Sequence, residues 1–210
     1  MDFNKVTEIA SAIGTFLAGA FICYKVFKSR VDNFLASFQG SVSSKVPKQS
    51  QVDLNILQRM EEIKELLNAD RIHVYEFHNG EHYANGRSAL KVSCTYEVCR
   101  VSVTRIQKEN LSIPISCMPK YIAAILDSQV NYVADIEETK NNMPATYNLK
   151  KSQNVSAYID TVLLNKEKEP VGYIEVQWFD KKQFKKDERE LIRLATFIED
   201  NIVNNDIKKK

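Results

Sequence analysis

The chain has 210 residues, of which 44% are hydrophobic and 27% charged, with a formal net charge of +2 at pH 7. This length holds one good-sized domain with an appendage, or two small domains, and the composition is that of a globular protein, which excludes a largely disordered chain. The small positive excess gives no reason to expect a nucleic-acid partner.

An uncharged segment near the start is the first element. The stretch IASAIGTFLAGAFICY, with Val26 and Phe27 after it, predicts a transmembrane helix at about 9–27, close to the lower limit of roughly 17–25 residues for a spanning helix. The preceding MDFNKVTE has two acids and one lysine, which favours a retained anchor over a cleaved signal peptide. Lysines and an arginine follow the segment, so the positive-inside rule predicts a single-pass membrane protein with a cytoplasmic soluble domain.

Small residues recur along this segment at four-residue spacing, at Ala10, Gly14 and Ala18. Such a face lets helices approach closely and would support oligomerisation in the membrane. The alternative is that small residues are simply common in membrane helices, and the sequence leaves both interpretations open.

The predicted organisation has four parts. An anchor over 1–30 is followed by a juxtamembrane segment and flexible linker over 31–51, where QGSVSSKVPKQSQ is rich in Ser, Gln and Lys. A globular domain covers 52–204, and a basic tail covers 205–210. The four cysteines form no CxxC pair, which argues against a disulfide framework and a structural zinc site.

Within the globular domain, apolar periodicity predicts the elements in chain order. VDLNILQRMEEIKELLNA predicts a helix with Leu54, Leu57, Met60, Ile63 and Leu67 on its buried stripe and Asp53 as its cap. Strands are predicted for DRIHVYEFH, for one or two segments of SALKVSCTYEVCRVSVTRI, for VNYVADIEE, and for the pair VSAYIDTVLLN and PVGYIEVQWFD joined by KEKE. PKYIAAILDSQ predicts a helix, TKNNMPATYNLKKSQN a loop, and KDERELIRLATFIEDNIVNN a closing helix with a capping box of Asp187 and Glu190.

This order predicts an α+β domain with an antiparallel sheet. The first and last helices would cover one face of the sheet, and the short helix and irregular loops would cover the other face, where a small molecule has room.

The same segments resemble a GAF domain, a relative of the PAS fold. NADRIHVYEFHNG is similar to the family's first passage from helix to strand, and ISCMPKYIAAILDSQVNYVADIEE to its internal helix and short strand. The paired strands, with VG entering the second, and the closing FKKDERELIRLATFIEDNI complete the likeness over roughly 52–204. The resemblance implies a GAF/PAS-like sheet with flanking helices, a small-molecule-binding or dimerising sensor module, and no catalysis. It transfers no ligand, because neither a cyclic-nucleotide signature nor a cysteine placed for a bilin is recognisable.

The chain also resembles phage holins that have one N-terminal anchor and one globular domain. Chain size, anchor position and the sequence around YIEVQWFD carry this likeness. It implies a lysis protein of phage origin, whose anchor oligomerises in the membrane and whose globular domain regulates it.

The stretch HNGEH, residues 78–82, raises a third possibility. His78, Glu81 and His82 follow the order of a zinc-hydrolase helix. However, Asn79-Gly80 is a strong turn pair and strand-like residues flank both sides, so a helix with both histidines on one face is not expected. The interpretation adopted is a loop between strands, with no metal and no cofactor assigned.

The predicted ligand-binding residues lie on this loop and on the strands of the sheet. They are His78, Asn79, Tyr83, Asn85, Cys94, Tyr96 and Tyr158. Structural roles in the loop and in cross-strand packing are the alternative for each of them. The preferred function is a membrane-anchored, non-catalytic GAF-like sensor or interaction module that forms a homodimer or higher homo-oligomer and binds an unknown small molecule or protein.

Overall fold

The fold was examined in a computed structural model, which describes residue 21 and residues 23–31, 46–82 and 85–203. The chain divides into two compact units, Met1–Gln51 and Val52–Lys210. In the first unit the described residues are helical at 21, 23–31 and 46–51. The second unit contains the sheet and the remaining helices.

One six-stranded antiparallel sheet organises the second unit, in the order β3-β2-β1-β6-β5-β4. Its strands are β1 (Arg71–His78), β2 (Lys91–Cys99), β3 (Ile113–Pro114), β4 (Val130–Val133), β5 (Ala157–Leu164) and β6 (Pro170–Trp178). The long central strands β1 and β6 bury side chains on both faces, so that polar residues such as His73 and Glu175 also lie inside the protein. The predicted α+β class with an antiparallel sheet is confirmed.

In the part of the chain that the structure describes, four helices flank the sheet. Helix α1 covers 46–67, α2 Pro119–Asp127, α3 Pro144–Ser152 and α4 Glu188–Ile198, and a π-helical turn follows at Glu199–Val203. The buried stripes of α1 and α4 pack against one face of the sheet, around Val74, Val176 and Trp178. Helix α2 packs against the other face, where Tyr121 is buried with aromatic residues of the strands.

Helix α1 differs from its predicted pattern at the N-terminal end. Residues 46–51, within the predicted linker, are already helical, so Asp53 lies inside the helix and does not cap it. Leu54 is 58% exposed, while Ile56 is fully buried. The buried stripe of the helix consists of Ile56, Met60, Ile63 and Leu67, which follow the 3.6-residue period. Contact with the sheet decides which face of the helix is buried.

Two further local predictions are wrong. The segment predicted as a loop contains α3, which starts with Pro144 in the first turn, where a missing N–H is tolerated. Its buried residues are Thr146 and Lys150, so it lacks the apolar stripe that reveals a helix in sequence. The capping box of α4 is not formed either, because the Asp187 side chain makes no capping hydrogen bond.

A β-bulge in β2 sets which side chains face each layer. Val74 pairs with Tyr96, but Tyr75 pairs with Cys94, so Thr95 is the extra residue. Cys94 therefore faces the α2 side of the sheet, and Tyr96 packs against the layer of α1 and α4.

The predicted single-pass membrane localisation with a cytoplasmic domain is wrong. Across the described residues, no helix has the length and apolar character needed to span a bilayer. The predicted small-residue face, at Ala10, Gly14 and Ala18, lies outside the described residues.

Candidate functional site

A row of polar side chains crosses the sheet on the α2 side. The register places five of them side by side on adjacent strands, β2 to β4 through β1, β6 and β5. This polar row consists of Glu97, His73, Glu175, Asp160 and Asn131. The His73 Nε2 lies 3.0 Å from the Glu97 Oε1, and the Asn131 Nδ2 donates to the Asp160 Oδ2 over 3.0 Å. All but Asn131 are at most 1% exposed, so the row is an internal charge network.

Two side chains from helices α2 and α3 contact the polar row. Lys150 of α3, only 3% exposed, forms an ion pair with Glu175. Tyr121 of α2 places its hydroxyl 2.8 Å from the Asp160 Oδ1 and 2.5 Å from the Glu175 Oε2. The two helices are thus tied to the sheet through the same pair of carboxyl groups.

The protonation of this pair follows from burial and geometry. Burial, reinforced by the charge of Glu175, raises the pKa of Asp160 well above its ordinary value. The Tyr121 hydroxyl carries one proton and cannot donate to both carboxyls. A protonated Asp160 resolves this, since it donates to the Tyr121 oxygen while the Tyr121 hydroxyl donates to Glu175.

The other carboxyls of the row stay ionised. Burial opposes ionisation of Glu175, but the Lys150 ammonium and His73 together outweigh it and lower the Glu175 pKa. Burial likewise opposes ionisation of Glu97, yet hydrogen bonds from His73 and from the backbone N–H groups of Ile106 and Gln107 lower its pKa to about 2. Each ionised carboxyl is therefore matched by a specific donor.

An apolar cleft opens beside α2, at the end of the sheet where β1 finishes. It consists of two adjoining hollows of about 320 and 650 Å³ that share Leu90, Ile115, Ile122 and Leu126. We call it the α2 cleft. The first hollow is also lined by Phe77, His78, Asn79 and Pro170, and the second by Arg87, Ser88, Ser116, Pro119 and Ala123. Polar groups thus stand at its ends and apolar side chains form its middle.

The predicted loop residues occupy different places. His78 and Asn79 line the α2 cleft, and the His78 Nε2 lies 2.8 Å from the Ser93 Oγ. Asn85 is exposed, and its Oδ1 accepts from the backbone N–H of Arg87 over 3.1 Å, so it shapes the turn. Tyr83 lies outside the described residues.

The predicted strand residues are divided by the sheet. Cys94 and Tyr158 are fully buried on the α2 side, where burial, aided by Glu97, raises the pKa of the Cys94 thiol. Tyr96 lies on the opposite side because of the bulge, and its hydroxyl donates to the Asp53 Oδ1 over 2.6 Å. The structure therefore separates Tyr96 from Cys94 and Tyr158.

The helix that a zinc hydrolase would need is not formed at HNGEH. Strand β1 ends at His78, and His82 forms an isolated β-bridge with Ser88. In the parts of the chain that the structure describes, no group of three or more His, Cys, Asp or Glu side chains is arranged to hold a metal ion.

Sequence reasoning missed the polar row, although a signal was present. Four strand segments carry a histidine or a carboxylic acid at the centre of a mostly apolar or aromatic stretch, in RIHVY, TYEVC, YIDTV and YIEVQ. A single ionisable residue in an otherwise buried strand needs a partner. Four such strands in one sheet are a reason to expect that the residues meet.

Comparisons with known proteins find similarity in structure alone. No family model matches the chain, and no curated protein matches it. The blue-light absorbing form of the PixJ GAF domain from Thermosynechococcus elongatus aligns with a TM-score of 0.53 and 14% identity, covering 73% of this chain and 83% of that one. The GAF3 domain of Slr1393 from Synechocystis sp. PCC6803 aligns with a TM-score of 0.52 and 13% identity, covering 71% and 90% of the two chains.

A third structure is the phycocyanobilin-bound GAF domain of a cyanobacterial phytochrome. It aligns with a TM-score of 0.52 and 11% identity, covering 77% of this chain and 87% of that one. At these identities the likeness shows the fold, which is that of a GAF domain, and the predicted GAF-like architecture is confirmed to that extent.

Proposed function

We propose that residues 52–203 form a non-catalytic GAF-type sensory module that binds a small molecule in the α2 cleft. The observation that carries the proposal is the cleft itself. It combines an apolar middle with His78 and Asn79 at one end and Arg87 at the other. Binding sites for small molecules typically combine apolar walls with a few polar groups that fix orientation.

The buried groups support a module without catalysis. Glu175 is fully buried and occupied by Lys150 and Tyr121, and Asp160 by Tyr121 and Asn131. A general acid or base must be within hydrogen-bond reach of a substrate proton. These carboxyls already form hydrogen bonds and ion pairs with other residues of the protein, so they are not available to a substrate.

A bilin does not fit between the sheet and helices α2 and α3. One structural neighbour is a GAF domain bound to phycocyanobilin, a linear tetrapyrrole. In this chain the Lys150 Nζ lies 5.0 Å from the centre of the Tyr121 ring and 5.3 Å from that of Tyr158. A tetrapyrrole is much larger than the Lys150 side chain, so it would have to displace the two tyrosine rings as well as break the Lys150–Glu175 ion pair. Photochemistry is therefore not part of the proposed function.

A ligand screen tests the α2 cleft. The purified chain is screened by thermal unfolding against a library of small metabolites, with hits confirmed by calorimetry. Leu126, which is 44% exposed and shared by both hollows, is changed to Glu in order to place a charge in the cleft. We expect true ligands to raise the Tm of the wild type and to lose this effect in Leu126→Glu.

Leu111→Glu is the matched control. Leu111 is 53% exposed and lies outside the lining of the cleft, so this variant adds the same charge elsewhere and should keep the response. A library without a single hit, or hits that bind Leu126→Glu unchanged, would contradict the proposal.

Self-association remains a prediction. The apolar stripes of α1 and α4 are used on the sheet, so a dimer would be built on other surfaces of these helices. Light scattering coupled to size exclusion would measure the mass directly. The holin alternative depended on a spanning helix, and none occurs among the described residues.

A further inference from the structure

The ammonium group of Lys150 lies in a cage of aromatic and acidic side chains. The rings of Tyr121 and Tyr158 stand 6.0 Å apart and nearly perpendicular, and the Lys150 Nζ lies 5.0 and 5.3 Å from their centres. Glu175 forms the ion pair with the ammonium, and Asp160 is the second carboxyl of the cage, linked through Tyr121. Aromatic faces combined with a carboxylate are the chemistry by which proteins bind alkylammonium ions.

The cage has hydrogen-bonding capacity that Lys150 does not use. Tyr158 is 0% exposed, and its hydroxyl has no hydrogen-bond partner among the described residues. A buried hydroxyl without a partner is costly. The cost would be removed by a ligand that brings a polar group to this hydroxyl.

Lys150 lies on helix α3. Its fully buried residues are Thr146 and Lys150, Tyr147 and Leu149 pack against the core while only partly buried, and the exposed Lys151 pairs with Glu137 at 2.8 Å. A helix without a fully buried apolar side chain docks with less stability than α1 or α4. Release of α3 would withdraw Lys150 and empty the cage without disturbing the opposite core.

We propose that this cage is a binding site for a small primary amine, and that Lys150 occupies it as an intramolecular ligand. The favoured class is a short alkylammonium ion that carries one more hydroxyl or N–H group for Tyr158. Binding of such an amine displaces Lys150 and releases α3 from the sheet. Because the lysine is tethered at the site, the free amine binds the wild type more weakly than a variant whose cage is empty.

Chemical complementation tests the cage. Lys150→Ala removes the methylene chain and ammonium that n-propylammonium replaces. Thermal unfolding of the full chain is measured in an amine-free phosphate buffer at constant ionic strength, with n-propylammonium, ethanolammonium or 1-propanol added. We expect both amines to restore roughly half or more of the lost Tm at saturation, ethanolammonium more strongly, and 1-propanol to have no effect.

The neighbouring Lys151→Ala is the matched control, since Lys151 is an exposed lysine of the same helix. Its Tm should not respond to either amine. A folded Lys150→Ala that ignores the amines, or that responds equally to 1-propanol, would overturn the proposal.

Hydrogen exchange of the wild type tests displacement and does not depend on how well Lys150→Ala folds. Ethanolammonium should increase exchange of the amides of α3 and leave those of β1 and β6 protected. Tyr158→Phe should reduce the advantage of ethanolammonium over n-propylammonium in the same assay. If exchange in α3 is unchanged up to the highest ethanolammonium concentration at which β1 and β6 stay protected, the amine does not displace the lysine, and the proposal is rejected.

Discussion

Replacement of Lys150 by Met isolates the contribution of the buried ion pair to stability. Methionine keeps most of the length and apolar volume of the lysine but removes its charge, leaving Glu175 fully buried without its ammonium partner. Breaking a buried pair in this way costs about 3–5 kcal/mol. A typical domain is stable by about 5–15 kcal/mol, so the change would be large but measurable.

The matched variant is Lys151→Met. It alters the next residue of α3, whose side chain is 60% exposed and pairs with Glu137 on the surface. Urea unfolding of both variants is followed by circular dichroism and by the fluorescence of Trp178, the only tryptophan of the chain. We expect a clear loss of stability in Lys150→Met, and Lys151→Met should unfold close to the wild type.

The dependence on pH provides a second readout for the same variant. The Lys150 ammonium lowers the pKa of Glu175 against the effect of burial, so its contribution is complete above the unfolded pKa of about 4.3. It is lost as the pH falls towards the lowered pKa of the folded state. The deficit of Lys150→Met should therefore shrink in acid. A deficit within about 1 kcal/mol of zero at pH 7 would show that the pair is not the buried contact described.

Three other changes test separate features. Asp160→Asn removes a carboxyl whose pKa is raised by burial and by Glu175. Because an acid with a raised folded-state pKa holds its proton more tightly in the folded protein, wild-type stability should fall relative to this variant as the pH rises above about 4. Parallel pH profiles of the two proteins in urea titrations would contradict this. Gly80→Ala places a Cβ 2.2 Å from the carbonyl oxygen of Ala89, which should cost about 1–3 kcal/mol through overpacking; an unchanged urea midpoint would argue against this close approach. Tyr96→Phe removes the 2.6 Å hydrogen bond to Asp53 and should cost about 1 kcal/mol, whereas thermal unfolding at the wild-type Tm would show that the bond contributes nothing.

The sequence predicts most of the helices and strands because their burial is periodic. Helix α4 keeps Leu191, Leu194 and Ile198 on its buried face, and the β5–β6 pair is marked by two apolar runs with a short charged connection. Helix α3 is not predicted because its buried residues, Thr146 and Lys150, are polar. Lys150 can be buried because it pairs with Glu175, which lies on a strand distant in sequence.

The polar row shows why the site could be predicted only in part. His73, Glu97, Asp160 and Glu175 are each visible as ionisable residues within apolar strands. Their meeting depends on the register of pairs such as β1 with β6, whose residues are about a hundred positions apart in the chain. No local turn sets that register, so the sequence alone does not align the four residues.

The extra residue in β2 makes this strand tolerant of one particular deletion. Loss of Thr95 would remove the bulge and restore strict alternation, with Tyr96 still opposite Val74 and Glu97 still opposite His73. Loss of Tyr96 as well would turn Glu97 towards the layer of α1 and α4. When distant relatives are aligned with this chain, a one-residue gap at Thr95 is therefore compatible with the polar row, and a two-residue gap is not.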